Sequence, residues 1–271
     1  MITQKEYFTL NNGILTRSKI MDYMKCPNYF YRKNILGTVA MKNSPALIVG
    51  DAVDSLLAQI EMSKRIAVFE GDRRTKNGKA EYASLIDDGF TIVTQAQYDQ
   101  IIALSDSVMT TTAYKQLADY KKQEILEMDM DIGQYFNKLA GMPDFIKVDD
   151  DKISIVDLKT AQTIEKHKYY WHADAYGYFL QAAVYCLLAN NTYPNRQIIF
   201  QHLVVEKSEP YRVVVYTIPQ VTIDKNIEMI YNVIDQIKND KEFKKKDVSL
   251  DDAKLLSLDD GDEAPTIDDW V

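Results

Sequence analysis

The amino-acid sequence predicts an α/β fold in which helices flank a mixed central sheet. Apolar residues recur at helical spacing through much of the first 120 residues, as in amphipathic helices. Between residues 123 and 217, shorter apolar runs follow the period of two that is typical of strands. Helical stretches interrupt and close this second half, so the order of elements indicates one α/β domain.

The N-terminal part is predicted to be helical. Residues 18–33 form the first helix, with Ser18 as its N-cap and a break or a new first turn at Pro27. A buried helix is predicted over residues 46–61. A basic loop over residues 70–79 and helices over residues 80–87 and 95–120 complete this part.

The second half is predicted to supply the sheet and two long helices. Residues 142–148 and 153–158 are expected to form a hairpin that turns at three consecutive aspartates, residues 149–151. Further strands are predicted over residues 123–130, 135–139, 197–205 and 212–217, and helices over residues 171–189 and 223–243.

The negative charge of the chain is concentrated at its C-terminal end. The net charge is −8, and residues 247–271 hold nine acidic residues and one lysine, so the other 246 residues balance at 31 basic and 31 acidic. We predict a domain over residues 1–246, with a helical part over about 14–120 and a core over about 121–246, followed by an acidic tail over residues 247–271. A neutral body can still present a basic groove, so the overall charge does not exclude a nucleic-acid partner.

The sequence favours a cytoplasmic protein without a membrane partner. Its apolar runs are too short to span a bilayer, and its first residues lack the apolar core of a signal peptide. Cys26 and Cys186 are too few for a four-cysteine zinc or iron–sulfur site and are expected to be reduced thiols.

Residues 141–160 contain charged residues that are typical of a hydrolase active site. Asp144 precedes the predicted hairpin turn, and Asp157 and Lys159 follow it. Charges buried in a sheet must be paired or must hold a metal, and carboxylate oxygens suit Mg²⁺ or Mn²⁺. Asp157 and Lys159 face one side of a strand because side chains alternate, whereas Leu158 can offer its backbone carbonyl. This combination predicts a metal-dependent phosphodiesterase.

The spacing Asp-x12-Asp-x-Lys, followed by Gln-x3-Tyr, resembles the PD-(D/E)XK nuclease superfamily. The closest resemblance is to RecE-like and RecB-like exonucleases, which include phage recombination exonucleases. The segments that carry it, in family order, are residues 18–31, 50–57, 72–80, 141–144, 157–160 and 181–185. The resemblance implies a restriction-endonuclease-like core.

The resemblance also implies roles for individual residues. Asp144, Asp157 and the Leu158 carbonyl would bind the metal, and Lys159 would orient or activate the attacking water. Gln181 and Tyr185, which share one helix face, would line the DNA cleft near the scissile phosphate.

One position departs from the family pattern. Asp54 stands where relatives carry a histidine, and its hard oxygen would favour Mg²⁺ over Mn²⁺ if it binds the metal. A solvated or capping aspartate is the alternative. Some relatives hold an iron–sulfur cluster through four cysteines, and no such cluster is expected here because the chain has two.

Several basic residues are candidates for DNA binding. The predicted phosphate contacts are Arg17, Arg32, Arg73, Arg74 and Lys76, together with Thr160, which follows the Asp-x-Lys segment. A simply solvated loop is the alternative for residues 72–80. The aromatic residues between 169 and 179 are expected to lie mostly in the core, with one or two rings able to stack on a base.

The resemblance implies a Mg²⁺-dependent exodeoxyribonuclease that degrades one strand of linear duplex DNA, in the 5′ to 3′ direction, in phage-type recombination or repair. Its partners would be DNA ends, a single-strand annealing or single-strand-binding protein, and copies of itself in a ring. The alternatives are a structure-specific, flap or CRISPR-adaptation-type endonuclease, and an inactive DNA-binding scaffold. The acidic tail could recruit a partner, shield the DNA groove or only increase solubility.

Overall fold

The computed structural model describes residues 2–9, 12–39, 45–58 and 65–240. The predicted acidic tail lies outside these residues, and the domain boundaries stay a prediction. No helix in the described ranges is both long and apolar enough to cross a membrane.

The N-terminal half is mainly helical, with three short strands. Its elements are α1 (Gln4–Tyr7), β1 (Ile14–Leu15), α2 (Arg17–Lys25), α3 (Pro27–Asn34), α4 (Pro45–Leu57), β2 (Arg65–Val68), α5 (Lys76–Asp87), β3 (Phe90–Val93), α6 (Gln95–Met109) and α7 (Thr112–Lys115).

Local chemistry explains where these helices begin and end. Thr16, and not the predicted Ser18, occupies the N-cap of α2. The predicted break at Pro27 is confirmed, because Pro27 begins α3, where its missing N–H costs nothing. The predicted basic loop is shorter than expected, since Thr75 caps α5 by accepting a hydrogen bond from the Gly78 N–H. The parallel pair β2–β3 was not predicted.

The second half contains most of the strands. Its elements are β4 (Lys121–Lys122), β5 (Leu126–Asp129), β6 (Lys138–Gly141), β7 (Phe145–Val148), β8 (Lys152–Ala161), α8 (Lys166–Ala175), α9 (Tyr178–Thr192), β9 (Gln197–Glu206), β10 (Val213–Thr217) and α10 (Gln220–Asn239).

The central sheet has five strands in the order β10-β9-β8-β7-β4. The predicted hairpin is confirmed as the antiparallel pair β7–β8. β8 and β9 are parallel and are joined by α8 and α9, since parallel neighbours require a long crossover. A second sheet has the order β1-β6-β5. The predicted class, α/β with a mixed sheet flanked by helices, is confirmed.

The two faces of β8 contribute to separate cores. Ile153 and Ile155 pack into the core that includes α8, α9 and α10. Val156 and Leu158 point to the opposite core, beside α4 and α6. A strand covered on both faces is held firmly in position, so the side chains at its end are held as well.

The helix predicted over residues 171–189 is two helices. Gly177 separates them in the left-handed conformation, with φ of 65°, which glycine adopts without steric cost. A Cβ at this position would lie 2.6 Å from the Met21 sulfur. The apolar pattern continues through the break, which explains why the periodicity predicted one helix.

Gly141, at the end of β6, allows an aromatic ring to approach the backbone. A Cβ at Gly141 would lie 2.7 Å from the ring of Tyr185 and 3.2 Å from Leu188. The glycine therefore makes room for Tyr185 directly before the segment that carries Asp144.

We expect Gly141→Ala to destabilise the fold by about 1–3 kcal/mol, because the added methyl group overpacks the Tyr185 contact. Urea denaturation would measure the change. The matched control is Gly50→Ala on α4, where the new Cβ would make an ordinary 3.5 Å contact with Thr160 and alanine favours the helix. Equal stability of Gly141→Ala and the native chain would contradict the prediction.

Candidate active site

A carboxylate and an ammonium lie together near the end of β8. Asp157 and Lys159 continue the row of Ile153 and Ile155, so an apolar row ends in two charges. The Asp157 side chain is 2% exposed and that of Lys159 is 12% exposed, and Lys159 Nζ is paired with Asp157 Oδ2. This face of β8 thus begins with apolar core residues and ends with two charged residues.

Asp144 reaches this pair from the segment between β6 and β7. Its Oδ2 accepts a hydrogen bond of 2.7 Å from the backbone N–H of Leu158. Burial, followed by the charges of Asp157 and Asp54, raises the pKa of Asp144 well above its usual value. Asp144 was predicted to lie on the neighbouring strand, but it lies directly before β7. The two aspartates and the lysine are nevertheless together, as predicted.

Asp54 reaches the same place from α4. Asp54 and Lys159 line one narrow space, together with Thr160. The charge of Asp54 also contributes to the pKa shifts of both Asp144 and Lys159. The structure therefore brings Asp54 into the electrostatic field of the cluster, although a role as a ligand stays a prediction.

The lysine is held in its charged form. Burial acts to lower the pKa of Lys159, but the charges of Asp157 and Asp144 outweigh it and the pKa is raised. An ammonium is a hydrogen-bond donor with no acceptor capacity. In this charged form Lys159 can donate hydrogen bonds to negative groups.

Gln181 and Tyr185 form a short hydrogen-bonded chain on α9. Gln181 Nε2 donates to the Tyr185 hydroxyl at 2.9 Å, and that hydroxyl donates to the Met142 carbonyl at 3.0 Å. Tyr185 was predicted to line the DNA cleft, and its side chain is buried against Gly141. Tyr185 fixes the backbone that leads to Asp144.

Two neighbours of the cluster were not predicted. The ring centre of Tyr178, at the start of α9, lies 4.8 Å from Lys159 Nζ. His202 on β9 is the register partner of Asp157 and is completely buried, with its Nδ1 2.9 Å from the Tyr169 hydroxyl. Burial lowers the pKa of His202 to about 3, so the ring is neutral. No sequence signal identifies either residue, because both contacts depend on strand register and on the helix break.

The donor set suits a small divalent cation. In the described part of the chain, no group of three or more His, Cys, Asp or Glu side chains is placed so that it could hold a metal ion. Mg²⁺ does not need such a group, because it is usually held by one or two carboxylates with water and substrate phosphates as its other ligands. Besides burial, the negative charges of Asp157 and Asp54 raise the pKa of Asp144, and a divalent cation would neutralise these charges. The residues present therefore fit a Mg²⁺ or Mn²⁺ ion.

The predicted DNA contacts fall into two groups. Thr160 adjoins Lys159, and Arg17 Nε donates to the Gly177 carbonyl at 3.2 Å, beside Tyr178. The other group is exposed: Arg32 on α3, Arg73 (over the Tyr82 ring) and Arg74 (paired with Asp72) in the segment before α5, and Lys76 at the start of α5. A role of this second group in DNA binding stays a prediction. Arg17 also serves a structural purpose, since it bonds the turn between α8 and α9.

Comparisons with known proteins identify the family and the fold. A family described as a PDDEXK-like domain of unknown function (DUF3799) matches residues 16–255. The chain is also similar to a solved structure described as a "putative exonuclease" from Eubacterium rectale. The two share 17% identity over 88% of this chain and 87% of that one, with a TM-score of 0.63. At this identity the likeness shows the fold alone.

A second solved structure, that of SSO0001, is 15% identical over 69% of this chain and 85% of that one. Its TM-score of 0.29 is too low to support an argument. Among curated proteins no match is found.

We expect Asp144→Asn to stabilise the metal-free protein near neutral pH. Because the pKa of Asp144 is raised in the folded state, the free energy of unfolding decreases as pH rises. The decrease begins at the pKa of the unfolded chain, about 4, and ends above the raised pKa of the folded chain. The amide can still accept the Leu158 hydrogen bond without a charge. The measurement is the melting temperature in EDTA, where about 1 kcal/mol corresponds to roughly 2–4 °C.

The gain should disappear as the pH falls below about 4, because the native carboxyl then becomes protonated in both states. The control is Asp150→Asn, at the exposed hairpin turn, which should change little. A lower melting temperature of Asp144→Asn at neutral pH would mean that the attraction of Lys159 outweighs burial and repulsion.

Proposed function

Because this chain belongs to the family of PDDEXK-like domains that matches residues 16–255, we propose that it is a divalent-metal-dependent deoxyribonuclease. The observation that carries the proposal is the meeting of Asp144, Asp157 and Lys159 at the end of a rigid strand. Such a strand end holds catalytic groups in fixed geometry, which is what hydrolysis of a phosphodiester requires.

In this proposal Asp144 and Asp157 hold the metal, with the Leu158 carbonyl and Asp54 as further ligands. A bound divalent cation would stabilise negative charge on phosphate oxygens and make water more acidic. Asp54, at the position where relatives carry histidine, gives the site an all-oxygen character, which favours Mg²⁺.

Lys159 acts as a charged donor. One of its N–H groups is engaged by Asp157, and the others are available to orient an attacking water or to contact a phosphate oxygen. Without a bound metal, the neighbouring carboxylates hold the pKa of Lys159 above its usual value.

Tyr185 and Gln181 act as positioning residues. The hydroxyl of Tyr185 holds the Met142 carbonyl at 3.0 Å, two residues before Asp144. Gln181 orients that hydroxyl. Their contribution is the placement of a metal ligand.

We propose that the substrate is the end of linear duplex DNA, with degradation of one strand from 5′ to 3′ in phage-type recombination or repair. The resemblance to RecE-like exonucleases supports this mode, as does the exonuclease description of the similar solved structure. A single-strand annealing protein as partner and a ring of copies belong to the same proposal. A DNA-binding scaffold without cleavage is the second candidate, and the presence of Asp54 in place of histidine favours it.

Lys159→Ala should reduce DNA cleavage by at least about 100-fold, comparable to the loss of one donor that stabilises a transition state. The measurement is the rate of nucleotide release from duplex DNA with Mg²⁺ and, separately, Mn²⁺, with EDTA as the metal-free control. The matched variant is Lys238→Ala, which also removes an ion-paired lysine, since Lys238 Nζ lies 2.6 Å from Asp131. Equal activity of Lys159→Ala and the native chain would mean that the site is wrongly assigned.

Linear duplex should be degraded while a covalently closed circle of the same sequence remains intact. End-labelled substrates with 5′-phosphate or 5′-hydroxyl ends would measure polarity and end recognition in the same digest. Cleavage of closed circles would favour an endonuclease. Binding without cleavage of any DNA, with either metal, would favour the scaffold.

A further inference from the structure

A group of aromatic rings leads from the candidate active site to the protein surface. We call His172, Tyr176 and Tyr178 the aromatic platform. The ring centres of Tyr178 and Tyr176 lie 6.0 Å apart, and His172 lies 4.5 Å from Tyr176. Since Lys159 Nζ lies 4.8 Å from the Tyr178 ring centre, the platform begins at the charge cluster.

The outer end of the platform is exposed. Tyr176 is 60% exposed, although the aromatic residues of this region were predicted to lie mostly in the core. A single exposed tyrosine is ordinary on a protein surface. Tyr176 differs because its ring continues a row that ends at Lys159.

The backbone beneath Tyr176 is held firmly. Arg17 donates two hydrogen bonds to this turn, one to the Tyr176 carbonyl and one to the Gly177 carbonyl. Gly177 has a left-handed conformation and lies against Met21. An exposed ring on a fixed turn loses little entropy when a ligand stacks on it.

Three cations, carried by different elements, act electrostatically on Tyr178 or His172, and Asp157 acts on Tyr178 in the opposite direction. Arg17 on α2 and Lys159 on β8 both influence Tyr178 electrostatically. Lys207, directly after β9, does the same for His172. Aromatic faces combined with positive charge are the features with which proteins bind single-stranded nucleic acid, because every base has a stacking face and every phosphate a charge.

We propose that the aromatic platform is a nucleobase-stacking subsite for single-stranded DNA, with Tyr176 as the residue on which a base stacks. The proposal rests on the proposed function in one respect, since it places the unpaired end of a substrate strand beside Lys159. The ligand is an unpaired strand because a base within a duplex offers no free face to a ring.

The probe is a set of single-stranded DNA oligonucleotides, each with one 2-aminopurine at a different distance from the end. Titration in EDTA prevents hydrolysis, so fluorescence reports stacking and anisotropy reports affinity. For the native chain we expect strong quenching at one or two neighbouring positions. Tyr176→Ala should abolish that quenching and weaken binding roughly 5- to 150-fold, the range that corresponds to stacking of one base.

Two control variants separate stacking from general effects. Tyr176→Phe keeps the ring and should retain both quenching and affinity. Tyr231→Ala removes a tyrosine of similar exposure, 46%, from α10 and should leave both unchanged. Melting temperatures of all variants should match the native value, because both tyrosines are exposed.

The subsite and the nuclease function can fail separately. Quenching that depends on Tyr176, in a chain that cleaves no DNA, would support the subsite and contradict the nuclease. Metal-dependent cleavage, with Tyr176→Ala binding and quenching like the native chain, would overturn the subsite and leave the nuclease intact. Absence of single-strand binding by the native chain would also overturn the subsite.

Discussion

The mutual repulsion of Asp144, Asp157 and Asp54 is the constraint on which the site depends. Burial and the charges of Asp157 and Asp54 raise the pKa of Asp144, and Lys159 acts in the opposite direction. Like charges in a poorly solvated site separate unless the surrounding structure holds them. The two covered faces of β8 and the Leu158 N–H provide that restraint.

The supports of the cluster come from distant parts of the sequence. Tyr185 holds the backbone before Asp144, and Gly141 gives its ring the space to do so. On the other side, α4 carries Asp54 to the end of the strand. A site built this way is rigid because its parts belong to packed elements, as catalysis by positioning requires.

The sequence predicted the elements that carry strong local signals. The hairpin around three aspartates, the paired carboxylates, Lys159 and the break at Pro27 all follow from spacing and residue type. The break at Gly177 did not, because the apolar pattern runs through it, and glycine is required there by its left-handed φ and its fit against Met21. The burial of Tyr185 and the contact of Tyr178 with Lys159 depend on how α9 lies on the sheet, which periodicity does not specify.

The parallel pairing of β8 with β9 has a consequence for the order of folding. The β7–β8 hairpin is local and can form early, but β8 reaches its final environment only after α8, α9 and β9 have been added. Long-range parallel pairing is slow relative to hairpin formation. Under the proposed function, a chain still on the ribosome carries the acidic residues without the helix that fixes Asp144. Cleavage of DNA would therefore require that α9 and β9 have joined β8.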